Sequence, residues 1–248
     1  MFSPPASSVV SSSISSHLPR PRDKPLKSGG PKESTFIRHV DQGILLIRRR
    51  FAKRETGDEF GKGAARGYDN FREASAEVEK LVDVVWVSGT PSLQVPYLLS
   101  LASLVETFIP AFPPCPKAIF RLLDKLDLAF ASLIQGRDIE TGDPLPGFNS
   151  VHTVTDTMKV RIKGLVGRTR ITVVESMSNG DFDPEEAVDA PSESEIDTMD
   201  EDDDLEDEND DKNWQMEIAK VYERTVAELG DTLGDVQLDI EPDITDSP

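Results

Sequence analysis

Residues 68–108 read YDNFREASAEVEKLVDVVWVSGTPSLQVPYLLSLASLVETF, and this stretch decides the fold class. Its first half carries an apolar or small residue every three or four positions: Tyr68, Phe71, Ser75, Val78, Val82 and Val85. That spacing places these side chains on one face of a helix. Gly89 is suited to a C-terminal cap, and Thr90-Pro91 is typical of a helix start. The sequence therefore predicts two consecutive helices.

The second of these helices is apolar almost all round, so we expect it to be the most buried one. Its apolar residues are Leu93, Tyr97, Leu98, Leu101, Leu104, Val105 and Phe108. Pro96 lies within the pattern, which predicts either a kink or a helix that begins there.

Similar patterns flank this pair on both sides. An apolar stripe from Phe36 to Phe51, with Ser34 or Thr35 as its cap, predicts a preceding helix. After a proline-rich turn, Ile119–Leu133 predicts a fourth helix that Gly136 closes, and a fifth is expected from about Thr153 to Met177. We therefore expect an all-α protein, an up-and-down bundle of about five coiled-coil-like helices with short connections.

Composition divides the chain into five parts, because segments with few apolar residues cannot offset the entropy cost of ordering. We expect a disordered Ser/Pro-rich arm over 1–33, the helical bundle over 34–178, an acidic disordered linker over 179–212, an amphipathic helix over 213–230 and an acidic disordered tail over 231–248. In the amphipathic helix, Trp214, Ile218 and Tyr222 are candidates for contacts with a partner or with the bundle.

Charge is distributed very unevenly along the chain. Residues 1–180 carry 24 Lys and Arg against 19 Asp and Glu, whereas residues 181–248 carry 3 against 27. The net charge is therefore +5 for the first part, −24 for the second and −19 for the whole. This asymmetry predicts a basic surface together with an acidic segment that either covers it or recruits a basic partner.

Two basic clusters are candidates for binding nucleic acid or an acidic protein segment. The first is Arg48, Arg49, Arg50, Lys53 and Arg54, and the second is Lys159, Arg161, Lys163, Arg168 and Arg170. The alternative is that both clusters are ordinary solubilising charges. Because no base-reading motif accompanies them, any binding of nucleic acid should tolerate many sequences.

The acidic stretch 181–211 contains eighteen Asp and Glu and no Lys or Arg. It is a linker, an intramolecular cover for the basic clusters or a binding element for basic proteins such as histones. Acidic residues follow Ser192, Ser194 and Thr198 at the spacing that acid-directed kinases use, so we predict phosphorylation there.

The sequence favours no enzyme. Residues 57–63 lack both the spacing and the hydroxyl of a phosphate-binding loop. Three scattered histidines and the single Cys115 provide no metal site, and we expect no cofactor, metal or small-molecule substrate. Asp124 and Asp127, one helical turn apart, are interpreted as a solvent-facing pair rather than an acid–base pair.

Localisation follows from weaker signals. A basic patch at residues 20–27 is compatible with nuclear import, and the proline-rich N-terminus argues against a mitochondrial presequence. We expect no membrane span, since no continuous apolar run approaches about 20 residues.

Residues 36–179 resemble a group of fungal proteins labelled as meiotic recombination proteins. The matching stretches are residues 62–71, 81–101 and 130–148, which include AARGYD, LVDVVWVSGTPS and ASLIQG. The acidic segment followed by a Trp-containing helix is also similar to that group. A strand-exchange recombinase would need an ATP-binding loop, so the resemblance implies a nuclear accessory factor in recombination or DNA repair. The alternative is an adaptor or a histone-binding, chaperone-like protein that acts through its acidic run.

Overall fold

The computed structural model describes residues 18–54, 66–148, 154–178 and 207–233, with side chains in the last range described for 214–230. Within these ranges the regular elements are helices, which confirms the all-α class. They are α1 (Pro31–Ala52), α2 (Phe71–Val87), α3 (Pro91–Phe108), α4 (Pro116–Gln135), α5 (Asp156–Ser178), α6 (Asp207–Lys220) and α7 (Glu223–Leu233), with a 3-10 turn at Ile109–Ala111.

Helices α2, α3 and α4 form the centre of the bundle. α2 packs against α1, α3 and α4, while α5 and α7 cover the other sides of α3 and α4. Trp86, Leu98, Leu101 and Phe130 are completely buried. The largely apolar stretch at residues 91–108 is therefore a core helix, as its composition predicts.

Local signals set most helix ends where the sequence places them. Asn70 caps α2 by accepting a hydrogen bond from the Glu73 amide. Gly89 and Gly136 follow α2 and α4 with φ angles of +54° and +71°, a left-handed conformation that glycine adopts without steric cost. Thr90 is the residue before α3, and Pro96 lies inside that helix.

The second half of the predicted N-terminal arm is ordered against the bundle, which corrects the boundary at residue 33. The Arg22 amide donates to the carbonyl of Val87 at 3.2 Å, and the Leu26 amide donates to Thr90 Oγ1 at 2.8 Å. Leu26 is only 8% exposed. These contacts satisfy backbone groups and bury an apolar side chain, so the segment folds without periodicity of its own.

Helix α1 also begins earlier than expected, at Pro31 rather than beside Ser34 or Thr35. Proline is favoured at the first helical position because its missing N–H would be unpaired there. The hydroxyls of Ser34 and Thr35 donate back to the carbonyls of Gly30 and Pro31 within the helix.

The predicted C-terminal helix over 213–230 is two helices. α6 and α7 are separated by Val221 and Tyr222, and Tyr222 has a φ of +56°, which is uncommon for a large side chain. α6 contacts α4 and α5, and α7 packs along α4 and α5. The C-terminal segment therefore belongs to the bundle.

One stretch, Pro91–Ala111, has the length and hydropathy of a membrane-spanning helix. Because 56% of that window is buried inside the bundle, it is weak evidence for a span and fits the core helix of a folded domain. Residues 207–212 of the predicted linker and 231–233 of the predicted tail are helical, because they belong to α6 and α7. The remaining parts of the predicted arm (1–17), linker (179–206) and tail (234–248) lie outside the described residues.

Candidate interaction surfaces

Arg50, a member of the first basic cluster, points into the fold. Its guanidinium contacts the carboxylates of Glu73 (3.2 Å) and Glu77, and lies 4.1 Å from the centre of the Tyr68 ring. The Tyr68 hydroxyl donates to Glu77 at 2.5 Å, and burial together with that carboxylate raises the tyrosine pKa. Arg50 thus joins α1 to α2 and is withdrawn from the outer surface.

The basic residues at the C-terminal end of α1 also make contacts within the chain. The Arg54 guanidinium lies 4.0 Å from the centre of the Phe51 ring and donates to the Phe51 carbonyl at 3.1 Å. Lys53 is half-buried. Phe51 in turn stacks on Phe108 with ring centres 4.1 Å apart, which closes this end of the bundle.

Arg48 and Arg49 are the outward-facing members of the cluster. They are exposed, and among the described residues neither has an ion-pair partner. Leu45 and Leu46, which are 48% and 45% exposed, share this face of α1. The outer face of α1, defined by Leu45, Leu46, Arg48 and Arg49, therefore combines apolar surface with uncompensated positive charge.

The second basic cluster is spread over several faces of α5. Arg168 forms a two-pronged hydrogen bond to Glu106 of α3, at 2.8 and 3.2 Å, which raises the Arg168 pKa. Lys159 is largely buried beside Asp156 at 3.6 Å. Arg161 and Lys163 are exposed, and Arg170 is half-buried. The structure therefore gathers no continuous five-residue basic patch on this helix.

The three predicted contact residues of the C-terminal segment face the bundle. Trp214 stacks on Phe120 of α4 with ring centres 5.6 Å apart, and Ile218 packs against the core. Tyr222 is 1% exposed and lies 6.3 Å from Phe130, centre to centre. These side chains hold α6 and α7 in place, so docking within the chain, one of the alternatives left open by the sequence, is what the structure shows.

Asp127 is the centre of that docking contact, and its interpretation as a solvent-facing residue is wrong. It is 1% exposed, and its carboxylate accepts hydrogen bonds from the amides of Arg224 (3.2 Å) and Thr225 (2.7 Å). These amides belong to the first turn of α7, where helical N–H groups lack partners and the helix dipole favours an anion. Asp127 on α4 thus caps α7 across nearly 100 residues of sequence.

Burial and the surrounding hydrogen bonds shift the pKa of Asp127 in opposite directions. Burial raises its pKa, while the hydrogen bonds from Thr225 and Arg224 and the charge of Arg224 lower it, and the net shift is upward. The Arg224 guanidinium also pairs with Asp124. Tyr222, completely buried beside this carboxylate, has its pKa raised by burial and by the charge of Asp127.

A second buried ion cluster joins α4 to α2. Lys125, with a side chain 6% exposed, contacts Glu79 at 3.1 Å and Asp83 at 2.7 Å. A lone lysine on a helix carries no sequence signal of burial, so the contacts of Lys125 could not be predicted from its position. The i, i+4 spacing of Glu79 and Asp83 is the sequence feature that could have indicated a shared cation between two helices.

No group of three or more His, Cys, Asp or Glu side chains is placed to hold a metal within the described residues. Cys115 is buried at the start of α4 and His39 is exposed on α1. The predicted phosphorylation sites Ser192, Ser194 and Thr198 lie outside the described residues.

Residues 67–230 match the model of the TFB6 family, described as subunit 11 of the general transcription factor TFIIH. The match runs from the segment before α2 into α7, so it includes the docked C-terminal helices. No curated protein and no solved structure matches the chain significantly.

Proposed function

The chain belongs to the family of subunit 11 of the general transcription factor TFIIH, and from this membership we propose that it is a non-enzymatic, protein-binding subunit of a TFIIH-type assembly in the nucleus. Its role in such an assembly is to present a rigid helical surface to a neighbouring subunit. Membership of a multisubunit complex calls for protein contacts rather than for a catalytic pocket.

The outer face of α1 is the surface that best supports this proposal. Leu45 and Leu46 expose nearly half of their surface, and large apolar side chains that are exposed side by side favour an interface. Arg48 and Arg49 flank them, and arginine is enriched in protein interfaces because its guanidinium forms planar, forked hydrogen bonds. The chemistry fits a partner surface that combines apolar residues with carboxylates.

A second candidate function is supported by the acidic run at residues 181–211. Its eighteen carboxylates and lack of Lys and Arg suit a basic protein partner such as a histone. An accessory role in meiotic recombination or DNA repair stays a prediction from the resemblance of residues 36–179. Binding of nucleic acid through Arg48 and Arg49 stays a prediction from charge.

Affinity purification from nuclear extract, with and without nuclease, tests the proposal. The tagged full chain should retain identified TFIIH subunits after nuclease treatment, because the contact is between proteins. Leu45→Asp combined with Leu46→Asp should reduce that recovery strongly, because it places charge at the centre of the apolar surface.

The matched control is Val160→Asp combined with Ile171→Asp on α5, where the two apolar side chains are 59% and 60% exposed. Thermal unfolding should show that both double variants remain folded. Undiminished recovery of TFIIH subunits by the α1 variant would refute this surface. Recovery of histones alone, through residues 181–211, would favour the second candidate.

A further inference from the structure

Helix α5 has a second apolar face, which points away from the bundle. Its inward face consists of residues buried against the other helices: Ile162, Leu165, Val166, Val173 and Met177. On the opposite side Val160 and Ile171 are 59% and 60% exposed, and Val174 is 47% exposed. Large apolar side chains left exposed along one face of a helix favour contact with another molecule.

The outward face follows a heptad spacing. Its members recur alternately every three and four residues, and all of them are exposed: Thr157, Val160, Gly164, Gly167, Ile171 and Val174. Such a repeat is typical of the contact seam, positions a and d, of a coiled coil. The opposite heptad position is occupied by Ile162, Thr169 and Ser176, which are all buried. The seam therefore lies directly opposite the core-facing side of α5, where a second helix can contact it without displacing the described helices.

Two glycines in the middle of the seam are not required by packing within the described parts of the chain. A Cβ on Gly167 would meet no atom within 4 Å, and a Cβ on Gly164 would lie 3.6 Å from the end of the flexible Arg168 side chain. Glycine is less favourable than alanine within a helix, so folding alone does not explain these residues. Because glycine lets another backbone approach closely, both positions favour a neighbouring helix at the seam.

We propose that this seam is a self-association surface, on which α5 of a second copy of the chain packs in parallel as a two-stranded coiled coil. Two copies related by a twofold axis present the same face to each other, which is the commonest arrangement of homodimers. Each seam residue then meets its own counterpart, so that Val160, Ile171 and Val174 pack in matching layers. The proposal needs only this chain and goes beyond the contact with TFIIH subunits proposed for α1.

The charges beside the seam favour a parallel second copy. In a parallel pair each residue at position g faces the residue five positions further along the other helix, at position e. Asp156 therefore faces Arg161, and Arg170 faces Glu175. Both pairs combine opposite charges, and the twofold axis makes each pair occur twice. Complementary contacts therefore lie near both ends of the seam.

The remaining contact of this kind, Lys163 with Arg168, lies in the middle of the seam and joins like charges. Its cost is reduced because the Arg168 guanidinium is already paired with Glu106 of α3 in its own chain, at 2.8 and 3.2 Å. Lys163 of the second copy therefore meets an arginine–glutamate pair rather than an isolated cation.

Other occupants fit the seam less well. An antiparallel copy brings position e beside position e, so in the registers with the greatest overlap Arg168 meets Arg161 or a second Arg168. The acidic residues 181–206 follow α5 in the sequence, but they contain no three apolar residues in succession at heptad spacing. They supply charge without a matching seam.

Sedimentation equilibrium of the purified full chain tests the proposal. An ionic strength of about 0.15 M is suitable, because the Debye length is then about 8 Å and the net charge of −19 on each copy is screened. Since α5 spans only 23 residues and two seam positions are glycine, we expect a weak dimer with a Kd on the order of 10–100 µM. A chain that stays monomeric up to about 500 µM would overturn the proposal.

Two changes in the seam should act in opposite directions. Val160→Asp combined with Ile171→Asp should make the chain monomeric, because it places like charges opposite each other. Gly167→Leu should lower the Kd at least about tenfold, because leucine at position d favours two strands and fits without a clash in its own chain. A dimer that persists in the first variant, or no gain in the second, would overturn the proposal. Thermal unfolding shows whether the first variant is folded, and the second decides if it is not.

Charge reversal tests the parallel arrangement. Arg170→Glu should raise the Kd about tenfold, because both of its contacts with Glu175 become repulsive. Arg170→Glu combined with Glu175→Arg should restore the native Kd, since opposite charges face each other again. Arg38→Glu makes the same charge change on the exposed surface of α1 and should leave the Kd unaltered. Failure of the combined reversal to restore the dimer would overturn parallel pairing.

The same measurement separates this proposal from the one for α1. The variant with Val160→Asp and Ile171→Asp should lose the dimer and still recover TFIIH subunits. The variant with Leu45→Asp and Leu46→Asp should lose those subunits and keep the dimer. Loss of the dimer in the α1 variant, with its fold intact, would assign self-association to α1 and overturn the proposal for α5.

Discussion

Three charged residues that face into the bundle, the partly buried Arg50 and the buried Lys125 and Asp127, show how this fold uses polar groups. Each joins two helices and has its charge met by opposite charge or by helix N–H groups. A buried ion pair adds little net stability, but removing one partner leaves the other charge unpaired in a low-dielectric site. These residues therefore specify which helices meet, and their loss should be costly.

We predict that Asp127→Ala lowers the free energy of unfolding by about 1–3 kcal/mol, because two amides of α7 lose their acceptor. Asp124→Ala, which removes a more exposed carboxylate paired with the same Arg224, is the control and should cost about 0–1 kcal/mol. Urea unfolding followed by circular dichroism measures both. Equal effects would contradict the capping role.

The raised pKa of Asp127 also predicts a pH dependence. The folded protein takes up this proton at higher pH than the unfolded chain, where the ordinary value is 3.8. The folded state therefore binds more protons in the window just above 3.8, and this contribution to stability increases as pH falls through it. The stability of the native chain relative to Asp127→Asn should increase as the pH is lowered from 7 toward 4, and a decrease would contradict the upward shift.

Lys125 and Arg121 offer a comparison of a buried and an exposed cation on the same carboxylate. Both contact Glu79, at 3.1 and 2.7 Å, but the Lys125 side chain is 6% exposed and the Arg121 side chain 48%. Lys125→Ala should cost about 3–5 kcal/mol, whereas Arg121→Ala should cost about 1 kcal/mol or less. Equal unfolding midpoints for the two variants would show that burial does not matter here.

At the scale of elements, periodicity predicted α2, α3 and α4 well because each helix buries one stripe or its whole surface, and the pattern is local. Glycine and proline signals placed several of their ends for the same reason. Residues 18–30 were missed because their order depends on contacts with Val87 and Thr90, more than 60 residues away.

The break at Tyr222 and the role of Asp127 were missed for a related reason. Each exists only when α7 lies against α4, which no local pattern encodes. The basic cluster was predicted as one surface because spacing alone cannot tell Arg50, which packs inward, from Arg48 and Arg49.

Docking of α6 and α7 predicts the behaviour of Trp214. In a Trp86→Phe background, where only one indole reports, native emission should be blue-shifted and partly protected from acrylamide, because the ring stacks on Phe120. Phe120→Ala should increase quenching, since it removes the stacking partner. Equal quenching of the native protein and of the protein in urea would show that the C-terminal helices are undocked in solution.

At the scale of the molecule, the boundary between the acidic stretch and the folded C-terminal helices differs from the predicted one. The acidic stretch 181–211 overlaps α6, and Arg224 and Thr225 are part of the bundle. Deleting everything after residue 180 would therefore damage the fold as well as remove charge. Within the acidic stretch, residues 181–206 can be altered without touching a described helix.

Replacing residues 181–206 with a Gly/Ser linker of equal length tests whether the acidic run shields the basic surface. It removes fourteen Asp and Glu, so the net charge changes from −19 to −5 while α6 and α7 are retained. If the acidic run repels DNA or covers the basic face of α1, the replaced chain should bind a generic DNA duplex more tightly than the native chain at low salt. That binding should then weaken steeply as salt is added. Arg48→Ala combined with Arg49→Ala should cancel the gain, whereas Lys163→Ala, on α5, should leave most of it. An unchanged affinity after the replacement would mean that the run does not shield α1, and its carboxylates would then be available to a basic partner.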